Sequence, residues 1–339
     1  MNIAIAPLDP ADDAAIDDML RMLGAAVAVD VPDFPPPCRY RFVGMLRHPV
    51  PATRLLTFLV RDGDRVVGQL DVRLPMRDNT DNAEVGITVE PAYRRRGVGR
   101  ALHAYLRDLL RDNGRKRAMA MTTEALPGGP ERDGAGSAFA TAMGATNALD
   151  EVRRRLGIST VDSDELDRLL AAAWSRADGY SLVRWRERVP EEYAADVGYL
   201  DSRLVTDSPM GDLAWEPEQI DVQRIRDGEA ARVVMGIRSY STAMVHDATG
   251  RVVALTAIGR ERSAPEHAYQ WITIVDPDHR GHRLGTIVKI ENLRYALRHE
   301  PGVASIDTWN AATNQHMISI NEALGFRPVD SWANWQQDL

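Results

Sequence analysis

The chain has 339 residues, 44% of them apolar, and a formal charge of −8 with acidic and basic side chains interspersed. That length suits two domains of ordinary size, and the acidic balance argues against a general nucleic-acid binder while suiting a cationic or amine substrate. No apolar run reaches the roughly 20 residues of a membrane helix, no leader pattern opens the sequence, and the single cysteine, Cys38, excludes an internal disulfide, so the expectation is a cytoplasmic protein with no membrane partner.

In chain order, residues 2–7 read as a strand. Asp9 or Asp12 is placed to cap a helix whose Ile16, Met19, Leu20 and Leu23 recur at helical spacing. The Pro-rich stretch 30–37 cannot continue that helix. Residues 55–60 and 66–74 flank Asp62-Gly63-Asp64, a hairpin turn. A strand over 83–89 leads into a basic, Gly-bearing loop and then a helix ending near Asn113-Gly114. A strand over 118–123, a Gly/Pro-rich connection, a short helix over 137–143 and further strands complete the first half. Residues 156–178 read as a bridge with a helix over 164–174. The pattern then restarts: a strand over 180–184, helices over 190–206 and 216–236, a hairpin at 247–250, and a strand over 268–275 into a second basic loop.

The two loops share one grammar. The first runs Val89-Glu-Pro-Ala-Tyr-Arg94-Arg95-Arg96-Gly97-Val98-Gly99-Arg100, and the second Ile274-Val275-Asp-Pro-Asp-His-Arg280-Gly281-His282-Arg283-Leu284-Gly285-Thr286. Each follows a strand and precedes an amphipathic helix. Glycines let backbone N–H groups approach an anion, and a helix N-terminus adds partial positive charge, so each is a ready phosphate site. Repetition of the whole order indicates a duplicated domain.

Arg94-x-x-Gly97-x-Gly99 resembles the (Gln/Arg)-x-x-Gly-x-(Gly/Ala) signature of the GCN5-related N-acetyltransferases, the GNAT family. The second copy, Arg280-x-x-Arg283-x-Gly285, departs from it, because Arg283 stands at the first glycine. The resemblance covers most of both halves and is greatest to tandem members such as the mycothiol synthase group. It implies an α/β (α+β) protein of two tandem GNAT-like domains, each a mixed, mainly antiparallel sheet flanked by helices. The expected bounds are 1–155, a linker helix within 156–178, and 179–339.

The resemblance also implies acetyl-CoA as cofactor, with its pyrophosphate on Arg94, Arg95, Arg96, Gly97, Val98, Gly99 and Arg100, or on Arg280, Gly281, His282, Arg283, Leu284, Gly285 and Thr286. Ile87, Val89, Ile274 and Val275 would border it. Near the C-terminus, Asn310 through Leu324-Gly325-Phe326 matches the family's second motif, so Asn310, Asn314 and Met317 would meet the pantetheine arm; Asn314 also suits a helix N-cap. Ala140 and Asn321 stand where the family often has a Tyr proton donor.

Acetyl transfer to an amine needs a neutral amine, a polarised carbonyl and alignment. Glu84, on the strand before the first loop, is a candidate base. Counting back equally in the second half reaches Gln270, which cannot act as a base; Glu266 and His267 nearby can. The catalytic candidates are Glu84, Glu266, His267 and Asn321, with the second half leading because it keeps more pantetheine contacts. No metal-ligand cluster appears. The expectation is direct acetyl transfer to a small-molecule amine in a ternary complex, by a monomer or homodimer that binds no nucleic acid. A non-catalytic acyl-CoA-binding or sensing protein and a protein-amine acetyltransferase are the alternatives.

Overall fold

The computed structural model describes residues 3–339; residue 2 of the expected first strand lies outside them. In chain order the main elements are β1 (Ile3–Pro7), α1 (Asp13–Asp30), α2 (Arg39–Arg47), β2 (Thr53–Asp62), β3 (Arg65–Pro75), β4 (Asn82–Val89), α3 (Val98–Asp112), β5 (Arg117–Ala125), α4 (Ala135–Ala142) and β6 (Thr146–Gly157). There follow α5 (Ser163–Trp174), β7 (Tyr180–Arg186), α6 (Ala194–Ser202), α7 (Leu204–Asp207), α8 (Val222–Val234), β8 (Ile237–His246), β9 (Arg251–Glu261), β10 (His267–Val275), α9 (Leu284–His299), β11 (Ser305–Ala311), α10 (Gln315–Ala323) and β12 (Arg327–Asp338). No helix among the described residues is long and apolar enough to cross a membrane.

Two compact units form. One gathers the chain up to Glu151 with Met210–Glu216 and Asp330–Leu339; the other gathers Val152–Pro209 and Pro217–Val329. The sequence expectation divided the chain in simple succession. The difference lies partly in β12, whose residues from Asp330 to Asp338 pair antiparallel with β5 of the first unit. It lies also in α5, whose Leu166, Leu170 and Ala173 are buried in the second unit's core. An i, i+4 apolar stripe must be covered, and here α9 and its sheet cover it.

In the first unit the strand order is β1-β2-β3-β4-β5-β12. These neighbours pair antiparallel except β4 and β5, which are parallel. The β2–β3 hairpin turns at Gly63, whose φ of 60° a glycine adopts without strain. α3 buries Val98, Leu102, Leu106 and Leu110 against Leu70, Val72, Leu74 and Ala83 on one face of the sheet, each large side chain contributing roughly 1.5–3 kcal/mol. α1 is capped by Asp12, which accepts from the Ala15 N–H. It buries Ile16, Met19 and Met22 with Leu59 and Val66 on the other face, under partial cover from α2. The sequence reading missed α2. Its N-cap is Cys38, a buried thiol whose sulfur accepts from the Arg41 N–H at 3.3 Å.

In the second unit the order is β6-β11-β10-β9-β8-β7. β10 and β11 are parallel, while β7–β8, β8–β9 and β9–β10 are antiparallel. α9 buries Leu284, Ile287, Val288 and Leu293 against Met244, Ala254 and Ile258. α6 and α8 cover the opposite face through Val197, Leu200 and Ile225.

Candidate active site

In the first unit β4 and β5 pair through three residues only, Asn82–Glu84 with Arg117–Met119. Beyond them Val85–Val89 keep pairing with β3, and Ala120–Ala125 keep pairing with β12. The inner edges of two parallel strands therefore part, leaving main-chain polar groups facing a gap. Such groups need partners, and an extended, amide-rich ligand offers them.

At the end of β4 the chain enters the first basic loop. Arg95 (φ 61°) and Gly97 (φ 91°) are both left-handed, and Gly97 is the N-cap of α3 with no side chain capping the helix. Alternating left-handed residues turn successive N–H groups into one concavity, and the uncapped turn adds its own. A Cβ at Gly99 would stand 3.1 Å from the Phe139 ring of α4. The residues thus fit an anionic, pyrophosphate-bearing cofactor of the kind expected from the sequence.

A cavity of about 380 Å³ joins the gap to this concavity. Of the expected residues, Ile87, Val89, Arg94, Arg95, Gly97, Gly99 and Arg100 line it. Val98 is buried beneath, and Arg96 lies over the Tyr93 ring, 5.2 Å from its centroid. Arg94 is committed elsewhere: its guanidinium pairs with Asp30 at 2.7 Å and Asp133 at 2.6 Å. Its role is to tie the loop to the end of α1 and to the segment before α4. No ion pair or hydrogen bond engages Arg95 or Arg100 among the described residues. The sequence reading missed the α4 side of the cavity, Ala135, Gly136, Ala138, Phe139, Ala142 and Met143. Ala140, which the sequence places where the family often has a Tyr, is not among the lining residues, while the small Gly136 and Ala142 leave room.

Glu84 sits on the sheet face opposite α3, half exposed, 3.9 Å from Arg73. A second carboxylate lies beside it. Asp71 of β3 is in register with Gly86, and a Cβ on Gly86 would collide with Asp71 Oδ1. Burial pushes the Asp71 carboxyl up to about 6, aided by the charge of Glu84 and opposed by that of Arg73. Its sequence signal was weak, a polar residue alternating with apolar ones.

The second unit repeats the loop. Gly281 (φ 88°) and Arg283 (φ 58°) are left-handed, and Arg283 is the uncapped N-cap of α9. Glycine and arginine have exchanged places relative to Arg95 and Gly97, so Arg283 keeps the concavity at some backbone strain. Arg280 pairs with Asp207 at 3.1 Å, and His282 Nδ1 lies 3.1 Å from the Arg176 carbonyl. Leu284 and Gly285 are buried, Thr286 and Val275 half-buried, and Ile274 belongs to the core under α6 and α8.

The gap itself differs. β10 and β11 also pair through three residues, His267–Tyr269 with Ser305–Asp307. Just beyond, Thr308 Oγ1 donates to the Gln270 carbonyl at 3.3 Å and holds the strands together. β10 carries a bulge between Gln270 and Thr273, so equal counting from the loop misses by one. By strand register the counterpart of Glu84 is Tyr269, not Gln270.

The other second-unit candidates have structural partners. His267 is buried, with Nδ1 2.9 Å from Ser305 Oγ and Nε2 3.3 Å from Asp307. Burial alone would raise the Asp307 carboxyl, but hydrogen bonds from Arg155 and His267, with the charges of Arg155 and Arg153, hold it well below the usual range. Glu266 is exposed at the strand start. Asn314 is the N-cap of α10, accepting from the N–H of Met317, itself half-buried. Asn321 is fully buried and donates to Asn310 Oδ1 at 2.6 Å.

Comparisons with known proteins bear on both units. The model of the Acetyltransferase (GNAT) family matches residues 26–126. A tandem GNAT protein from the clavulanic acid biosynthesis pathway, solved without AcCoA, is 38% identical to the chain. That match covers 99% of this chain and 98% of that one, with a TM-score of 0.85. The chain belongs to the GNAT family. It is an acyltransferase with the family's domain in tandem. Two more distant likenesses concern the fold alone. A GCN5-related N-acetyltransferase from Sphaerobacter thermophilus is 12% identical over 99% of this chain and 95% of that one, TM-score 0.65. Saccharomyces cerevisiae N-myristoyltransferase with bound myristoyl-CoA is 11% identical over 98% and 82%, TM-score 0.61. None of the curated proteins matches the sequence.

Proposed function

We propose that the first unit binds acetyl-CoA in the gap between β4 and β5 and that its acetyl group passes directly to a small-molecule amine held beside it. The observation that carries this reading is the open cavity, where the parted strands meet the uncapped, left-handed turn of α3. Backbone N–H groups around Gly97 and Gly99 would hold the pyrophosphate, and the free edge of β4 would hold the amide-rich arm. Bound acetyl-CoA supplies a thioester, a good acyl donor. The protein's part is to align the amine, polarise the carbonyl through backbone N–H groups and accept a proton. Cys38 is buried as a helix cap, which favours direct transfer over an acyl-enzyme. A small acceptor is supported by the tandem relative, which comes from a pathway whose product is a small molecule.

The second unit is read as non-catalytic. The sequence favoured it for its Asn-bearing motif, yet Asn314 and Asn321 serve α10, and Thr308 bridges the strands. Calorimetric titration with acetyl-CoA tests this assignment. Binding should vanish with Gly99→Trp and survive Gly285→Trp; the reverse pattern would move the site to the second unit.

A further inference from the structure

We propose that Asp71 on β3, rather than Glu84 on β4, is the carboxylate that takes the proton from the acceptor amine in the first unit. The inference rests on the reading that this unit acetylates an amine. Position decides between the two carboxylates. Glu84 lies where β4 and β5 still pair, opposite Met119. Its side chain is 48% exposed and shares Arg73. Asp71 reaches over Gly86, two residues into the stretch where β4 has left β5. Gly86 is followed on the same face by Thr88, which lines the cavity. A side chain at residue 86 would displace the carboxylate, so the glycine is what lets Asp71 lie over β4 beside the cavity's Thr88.

A second acceptor accompanies it. Gln69, two residues earlier on the same face of β3, is 4% exposed, and its Oε1 has no hydrogen-bond partner among the described residues. A buried acceptor without a donor costs about 1–3 kcal/mol, and an ammonium group would supply the missing donor. The duplicated unit is an internal control. By strand register, Leu255, Ala257, Gly259 and Tyr269 stand where the first unit has Gln69, Asp71, Arg73 and Glu84. The polar face is therefore particular to the unit with the open cleft, not a requirement of the fold.

In the step proposed, R–NH3⁺ gives one proton to the Asp71 carboxylate. The freed lone pair attacks the thioester carbonyl carbon, the C–N bond forms and the C–S bond breaks. The departing thiolate takes the second amine proton and leaves as the thiol, and Asp71 returns its proton to solvent. Burial of Asp71, with Glu84 and Arg73 as the charged groups acting on it, places its titration at about 6. It is thus ionised near neutrality yet basic enough to accept a proton.

The test follows coenzyme A release from acetyl-CoA with glycinamide, tyramine, glucosamine and spermidine as acceptors. It is joined to calorimetric acetyl-CoA binding and infrared titration of the carboxyl band. Asp71→Asn should lower kcat/KM about 100-fold or more at unchanged acetyl-CoA affinity. It should also remove both the acidic limb of the pH profile and the infrared band titrating at about 6. Asp71→Glu should restore part of the activity, and Gly86→Ala should lower it. Survival of the limb in Asp71→Asn, or its loss with Glu84→Gln instead, would overturn the assignment. So would a wild-type protein that binds acetyl-CoA but transfers to none of these amines. Failure of the wild type to bind acetyl-CoA would remove the cleft reading and this inference with it.

Discussion

The Thr308 hydroxyl donates to the Gln270 carbonyl at 3.3 Å, while Ala120 stands at the register position of Thr308 in the first unit. One hydroxyl thus bridges the strands of the second unit at a position where the first unit has only a methyl group. The same duplication that preserved both loops has let the two gaps diverge.

Installing that hydroxyl should narrow the first gap. Ala120→Thr puts a donor beside the Val85 carbonyl, where a hydrogen bond worth about 1 kcal/mol competes with the ligand and lowers acetyl-CoA affinity about fivefold. Calorimetry on the variant, with circular dichroism to show an unchanged fold, measures this. Undiminished affinity would mean the ligand does not use this part of the strand edge.

What was legible in the sequence follows from how each feature is encoded. The two basic loops were plain because left-handed turns select glycine, and Gly97 and Gly281 are such turns. The helices behind them were plain because Leu102, Leu106 and Leu110 recur every turn and are buried. Asp71 was not legible, since its meaning depends on Gly86 across the ladder. The β10 bulge was hidden as well, because one extra residue leaves the apolar pattern nearly intact while moving Tyr269 into the place counted for Gln270. Nor does residue order disclose that β12 completes the sheet beside β5. Nor does a motif match reveal that the Asn321 amide donates to Asn310 Oδ1.

Arg94 is expected to act on the loop through its two ion pairs. Arg94→Ala leaves Asp30 and Asp133 without their shared partner, and the segment before α4 loosens at the cavity wall. Acetyl-CoA affinity should fall about tenfold, because the loop must then be ordered on binding. Amide exchange should quicken around 30–34 and 129–134. Arg94→Lys should rescue little, since an ammonium cannot reproduce the forked contacts.

Asp307 holds together the buried cluster of the second unit. Asp307→Asn removes the carboxylate shared by Arg153, fully buried and 3.0 Å away, and Arg155, 2.6 Å away, and should cost about 3–5 kcal/mol. The folded carboxyl is held below its ordinary 3.8, so its stabilisation is fully present above that value and is lost as pH falls through the lower folded value. Thermal melts of the wild type should therefore drop on acidification below 3.8 more steeply than those of the variant. Parallel curves would deny Asp307 this role.

Lys289 on α9 is the opposite case, a buried cation with no counter-charge. Its Nζ lies over the Phe326 ring, 5.5 Å from the centroid, but has no hydrogen-bond partner among the described residues; its exposure is 1%, and burial pushes the amine from 10.5 down to about 7. The unfolded chain binds this proton more tightly, so stability should rise with pH between about 7 and 10.5. Lys289→Met keeps the stem and discards the amine. At neutral pH it should stabilise the protein by on the order of 4 kcal/mol, at roughly 1.4 kcal/mol per tenfold change in proton affinity. It should also flatten that slope. Denaturant melts at neutral and alkaline pH measure both effects, and a variant less stable than wild type at every pH would show that the contact with the Phe326 ring outweighs the cost of burying the amine.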